Sequence, residues 1–195
     1  MHIGLFFGSF NPIHHGHLII ANYIVETTDL EKIWFVVSPQ NPFKQKETLL
    51  NEYDRLHLVR LGIGDNLKLS ASDIEFKLPR PSYTIDTLTF LKEKYPSHVF
   101  SLIMGSDNLL TLHKWKNYEL ILKHHRLYVY KRRGFTENPY SNHENVVMLD
   151  VPLLDISASF IREHIARKIS MQYFLPEKVW QYILDNNLFR QKTQQ

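Results

Sequence analysis

The sequence predicts an α/β protein on a doubly wound parallel sheet, with helices added at its C-terminal end. Three observations lead there. Apolar runs rich in β-formers occur at Ile3 to Phe7, Lys32 to Val37 and Val99 to Met104, as in strands buried on both faces. Between the first two lies an apolar-periodic segment, Leu18 to Val25, so the order strand–helix–strand calls for a right-handed parallel crossover. No repeat or low-complexity linker interrupts the chain, which predicts one domain over 1–190 and a frayed tail over 191–195.

Composition limits the function classes. A chain of 195 residues that is 44% hydrophobic and 22% charged can bury a sizeable core. Its net charge of +3 suits an anionic small molecule, and no long Lys/Arg block points to nucleic acid. Cysteine is absent, which excludes disulfides and thiolate metal sites. The N-terminus opens directly on a strand-like segment and no apolar run approaches ~20 residues. A cytoplasmic protein with no membrane contact is expected.

The stretch Gly8-Ser9-Phe10-Asn11-Pro12-Ile13-His14-His15-Gly16-His17 joins the first strand to the first helix. Such a turn gathers backbone N–H donors and the positive end of a helix dipole, which favours anions. Gly8 permits close backbone approach and Pro12 stiffens the loop. His14 and His17, three apart, share one face at a helix start. Two imidazoles beside an anion site suggest phosphate chemistry. The residues alone leave a plain loop open too, since neither common phosphate-loop glycine pattern is present. His-x-x-His has no Cys or adjacent carboxylate to complete a metal site.

After Val37, Ser38-Pro39-Gln40-Asn41-Pro42-Phe43-Lys44 reads as a rigid loop at a strand's carboxyl end, where ligands bind in open α/β sheets. Lys44 taken alone is a solvated loop lysine or a phosphate ligand. Glu52 to Gly64 reads as a helix carrying Arg55 and a surface Arg60, and Lys68 to Ser72 as a short strand. Pro81 followed by Ser82 or Thr84 as N-cap starts a helix that runs to about Tyr95. Gly105-Ser106-Asp107-Asn108 ends the next strand, and Asp107 is read equally as a ribose acceptor or an N-cap. Trp115 is a core residue on ordinary expectation. Arg126 to Tyr130 and Val146 to Leu149 read as strands, separated by the basic turn Lys131-Arg132-Arg133-Gly134 and a polar loop from Phe135 to Asn145. Ser157 and Ser159 before an apolar-periodic helix offer hydroxyls, with Arg162 close behind as a guanidinium for phosphate. Pro176 starts a terminal helix that packs through Val179, Trp180, Tyr182, Ile183 and Leu184.

GSFNPIHHGH resembles the H-x-G-H signature of the nucleotidyltransferase superfamily of adenylyl- and cytidylyltransferases. The resemblance implies that His14 and His17 touch the triphosphate and stabilise a pentavalent transition state, with Gly8, Ser9 and Phe10 in the same phosphate-binding loop. Ser38-Pro39-x-x-Pro42-x-Lys44 and Pro81-Ser82-Tyr83-Thr84-x-Asp86-Thr87-Leu88 are similar to the nicotinate-nucleotide adenylyltransferase branch. There the first loop approaches the phosphates, which makes Lys44 a candidate. An arginine near the start of the next helix orders the site, which Arg55 matches.

In that branch Tyr83 and Thr84 stand at the helix start that receives the pyridine carboxylate. Helix N-terminal donors favour a carboxylate over a neutral amide, so the nicotinate form is expected. Gly105 and Asp107 match the adenosine-side contacts, Trp115 a pyridine-stacking residue and Lys116 a backbone donor to the carboxylate; Tyr118 stands where a second tryptophan often follows. Ile156-Ser157-Ala158-Ser159-Phe160-Ile161-Arg162 follows the pattern I-S-S-T-x-I-R, with Ala158 removing one hydroxyl.

The implied fold is Rossmann-like. The implied reaction is adenylyl transfer from ATP to nicotinate mononucleotide, giving deamido-NAD and pyrophosphate, with Mg²⁺ held mainly by substrate phosphates. Two alternatives stay open: an adenylyltransferase acting on phosphopantetheine or nicotinamide mononucleotide, and a non-catalytic nucleotide-binding module. The sequence also leaves open whether the chain forms a homo-oligomer.

Overall fold

A computed structural model describes residues 1–39, 49–134, 139–152, 154–190. Among these, six parallel strands form one sheet: β1 (His2–Gly8), β2 (Lys32–Val37), β3 (Leu69–Ser72), β4 (Val99–Gly105), β5 (Leu127–Tyr130) and β6 (Val146–Leu149). Their order is β3-β2-β1-β4-β5-β6. All five pairings are parallel, so the doubly wound, Rossmann-like reading holds. The order reverses between β1 and β4, and ligands in open α/β sheets bind outside the strand ends at that switch.

Period-two alternation explains the two cores. In β5, Tyr128 and Tyr130 face one core while Leu127 and Val129 face the other. The first core packs α1 (His15–Thr27), α2 (Glu52–Ile63), α6 (Ala158–Ala166) and α7 (Glu177–Asp185) through Ile20, Ile24, Leu56, Ile161 and Val179. The second packs α3 (Thr84–Lys94), α4 (Ser106–Leu110) and α5 (Tyr118–His124) through Leu88, Leu91, Leu109 and Ile121.

Two local expectations are corrected. Neither Ser82 nor Thr84 caps α3: Tyr83 holds the N-cap position and makes no side-chain cap bond. The Ser82 side chain is instead hydrogen-bonded to the buried carboxyl of Glu75. Asp107 is not an N-cap either, because Gly105 occupies that position and Asp107 lies in the first turn of α4. By contrast, Ser157 does cap α6, accepting from the Phe160 N–H at 3.1 Å.

The amino ends of the central strands carry a separate polar cluster. His2 Nε2 lies 2.7 Å from Ser101 Oγ, and His2 Nδ1 lies 3.3 Å from Asp29 Oδ2. Tyr128 and Arg126 both donate to the Asp29 carboxylate. The order Ser–His–Asp is that of a hydrolase triad, yet Ser101 is only 1% exposed and within a β-strand. A nucleophile must be reachable; this cluster is a strut.

Candidate active site

The carboxyl ends of β1 and β4 meet the N-terminus of α1. β1 ends at Gly8, and a Cβ there would stand 2.8 Å from the ring of Phe10. Phe10 adopts φ +44° and is 2% exposed. A left-handed backbone costs such a residue of order 1 kcal/mol, which its burial outweighs. The ring packs edge-on against Phe35 and His17, at 5.3 and 5.2 Å between centroids. The Phe10 side chain therefore supports His17 from beneath, and only its backbone borders the loop.

His14 is the N-cap of α1, so the helix begins three residues before the sequence suggested. The His14 and His17 rings stack at 3.7 Å between centroids and 23° between planes. Gly16 makes this possible: a Cβ there would lie 3.0 Å from His14 Nδ1. His14 is 4% exposed, and its Nδ1 has no hydrogen-bond partner among the described residues. Burial first, then the nearby His15 and Arg132 charges, lower its pKa to about 4. The ring is thus neutral at pH 7, a donor and acceptor rather than a fixed cation. Buried polar atoms are nearly always partnered, which makes an orphan at the switch point a candidate ligand contact.

Arg162 closes the loop from α6. Its guanidinium donates to Asn11 O at 2.8 Å and to Ser159 Oγ at 3.2 Å. Its Nε is buried and unpartnered among the described residues. Arg55 anchors the floor. Wholly buried, it donates to the carbonyls of Ser9 (2.7 Å), Ser38 (2.8 Å), Pro39 (3.0 Å) and Leu50 (3.0 Å). Burial lowers its pKa only to about 10, so it stays charged at pH 7 and sets a positive potential beneath Ser9. Lys44 lies outside the described residues.

On the β4 side, Asp107 pairs with Arg132 at 3.2 Å, and a Cβ on Gly105 would meet both side chains. Arg132 also bonds Tyr130 and, through its N–H, Ser106 Oγ. The sequence showed Arg132 only as one cation of a basic turn. Nothing local distinguished it from Arg133, which pairs with the exposed Asp155.

The remaining candidates gather at the start of α3. Lys116 Nζ sits 4.9 Å from the Tyr83 ring centroid and 2.9 Å from Asp86 Oδ2. Those contacts tie the 115–117 loop to the helix that begins at Thr84. Trp115 is half-buried against the second core, so one part of its surface stays accessible. Tyr118 packs edge-on against Tyr140 at 6.1 Å. The structure thus brings together His14, His17 and Arg162 with the Gly8–Phe10 loop, and separately Tyr83, Thr84 and Lys116.

The Cytidylyltransferase-like family model matches residues 5–164. A probable nicotinate-nucleotide adenylyltransferase of Flavobacterium psychrophilum is 54% identical over 192 residues, covering 97% of this chain and 100% of that protein. One of Bacillus licheniformis is 35% identical over 96% of this chain and 97% of its own length. A Plasmodium falciparum nicotinic acid mononucleotide adenylyltransferase complexed with NaAD superposes with a TM-score of 0.79 at 20% identity, covering 96% of this chain and 97% of that one; this match speaks to the fold. The length and level of these matches, on a site of this geometry, show that the chain belongs to the nicotinate-nucleotide adenylyltransferase family of cytidylyltransferase-like proteins.

Proposed function

We propose that the protein transfers the adenylyl group of ATP to nicotinate mononucleotide, giving deamido-NAD and pyrophosphate in NAD biosynthesis. The observation that carries the reading is the stacked His14–His17 pair at the N-terminus of α1, with His14 Nδ1 buried and unpartnered among the described residues. A phosphate oxygen of the mononucleotide attacks the α-phosphorus in line as the bond to pyrophosphate breaks. No enzyme nucleophile is needed; positioning and charge neutralisation supply the rate. His14 and His17 donate to triphosphate oxygens as charge develops. Arg162, already oriented by Asn11 and Ser159, meets the leaving phosphates together with Lys44. Gly8, Ser9, Ser157 and Ser159 line the same phosphates, while Gly105 and Asp107 take the adenosine side. Tyr83, Thr84, Trp115 and Lys116 form the pyridine pocket.

Mg²⁺, held mainly by the substrates, would supply charge neutralisation to the triphosphate. Among the described residues no group of three or more His, Asp or Glu could hold a metal ion. Among them, too, no helix is long and apolar enough to cross a membrane.

The test is pyrophosphate release with ATP and Mg²⁺, comparing nicotinate and nicotinamide mononucleotides. Strong preference for the acid supports the pocket. Equal rates would mean that the α3 start does not select charge, and release with neither would overturn the reading.

A further inference from the structure

Glu75 lies in a 3-10 turn, Ile74–Lys77, directly after β3. It is 3% exposed. Thr87 Oγ1 donates to its Oε1 at 2.9 Å, and the side chains of Ser38 and Ser82 hydrogen-bond to the same carboxyl. These hydroxyls come from three separate walls of the site. Ser38 follows β2, and its N–H donates to Gly8 O at 2.9 Å while its carbonyl accepts from Arg55 at 2.8 Å. Ser82 belongs to the turn before α3. Thr87 lies in the first turn and a half of that helix and shares its hydroxyl with Tyr83 O at 3.3 Å. A carboxylate is acceptor-only and can take several donors, which suits three converging hydroxyls.

We propose that Glu75 is a positioning residue for the acceptor pocket: its buried carboxyl gathers Ser38, Ser82 and Thr87 and so fixes Tyr83 and the Thr84 end of α3 against the phosphate loop. The inference rests on the acceptor-pocket reading above. Glu75 touches no substrate in this account. It holds the two half-sites in register, and a misplacement of order 1 Å there is costly to a two-substrate reaction. Burial raises the pKa of its carboxyl, and the three hydroxyls offset only part of that rise.

The test compares Glu75→Ala, Glu75→Gln and Thr87→Val with the native enzyme. Glu75→Ala is expected to raise KM for nicotinate mononucleotide by about tenfold and leave KM for ATP within about twofold, as the loss of one or two hydrogen bonds would. Glu75→Gln keeps the shape and can bond hydroxyls, so it restores most of the affinity; Thr87→Val gives a smaller shift in the same direction. Equal changes in both KM values, or a fall in kcat alone, would overturn the proposal. Amide exchange without substrate separates it from the functional reading. Residues 80–88 should exchange faster in Glu75→Ala and, to a smaller extent, in Thr87→Val, with Glu75→Gln close to native and α1 unchanged, whatever the acceptor proves to be. Unchanged exchange over 80–88 would also overturn it.

Discussion

Two histidine clusters stand at opposite ends of the same central strands, and they differ in how their polar atoms are satisfied. At the amino ends, both ring nitrogens of His2 have partners, and Asp29 receives Tyr128 and Arg126. At the carboxyl ends, His14 stacks on His17 and leaves Nδ1 buried without a partner among the described residues. The first set has spent its hydrogen-bonding capacity on the fold. At His14 Nδ1 that capacity is unspent among the described residues, and an unpartnered buried polar atom is costly. A Ser–His–Asp order with a sealed serine is thus structural, while a plain pair of stacked imidazoles is the candidate for chemistry.

The sharpest break of this comparison is substitution in each cluster. His17→Ala should lower turnover by about 10²–10³-fold with the fold intact, as losing one oxyanion donor does. His2→Ala should leave turnover within about twofold while lowering the melting temperature. Steady-state kinetics and thermal unfolding on both variants check this; equal kinetic losses would erase the distinction.

The clusters should also part in pH. His14 has its pKa lowered to about 4 in the fold from 6.5. Between those values the unfolded chain binds the proton and the folded chain resists it. Its contribution is therefore present above pH 6.5 and lost as pH falls towards 4, by of order 3 kcal/mol. Asp29 is depressed below 3.8, chiefly by the Tyr128 hydrogen bond. Its contribution is present above 3.8 and is lost at lower pH still. Denaturant unfolding from pH 7 to 3 should show the upper window flattened in His14→Asn and unchanged in Asp29→Asn.

Smaller effects refine the picture. Gly16→Ala places a methyl 3.0 Å from His14 Nδ1 and should tilt that ring. About a tenfold loss in kcat, with stability little changed, is expected from such a misplacement. Smallest of all, Ser101→Ala removes the partner of His2 Nε2. It should cost about 1 kcal/mol of stability and no measurable turnover.

Much of the site was legible because its residues are close in sequence. Gly8 to His17 is one strand–turn–helix unit, and local geometry alone puts its histidines on a helix N-terminus. Ser157 as a cap was legible for the same reason. The α3 cap was not: Ser82 had the right residue type, but its hydroxyl went to Glu75, seven positions back, once Glu75 was buried. Arg132 was hidden among neighbouring cations until β5 paired beside β4 and brought Asp107 within reach.

By itself the sequence determined the parallel α/β order, the strand–turn–helix loop from Gly8 to His17 and the family, because apolar periodicity and short motifs are set by near neighbours. Only the tertiary structure decided which polar groups were spent and which were kept free. That depends on partners far along the chain: His2 and Ser101 are 99 residues apart and Arg162 and Asn11 are 151 apart. No local pattern records such a meeting, and in a buried setting the presence or absence of a single partner separates a strut from a site.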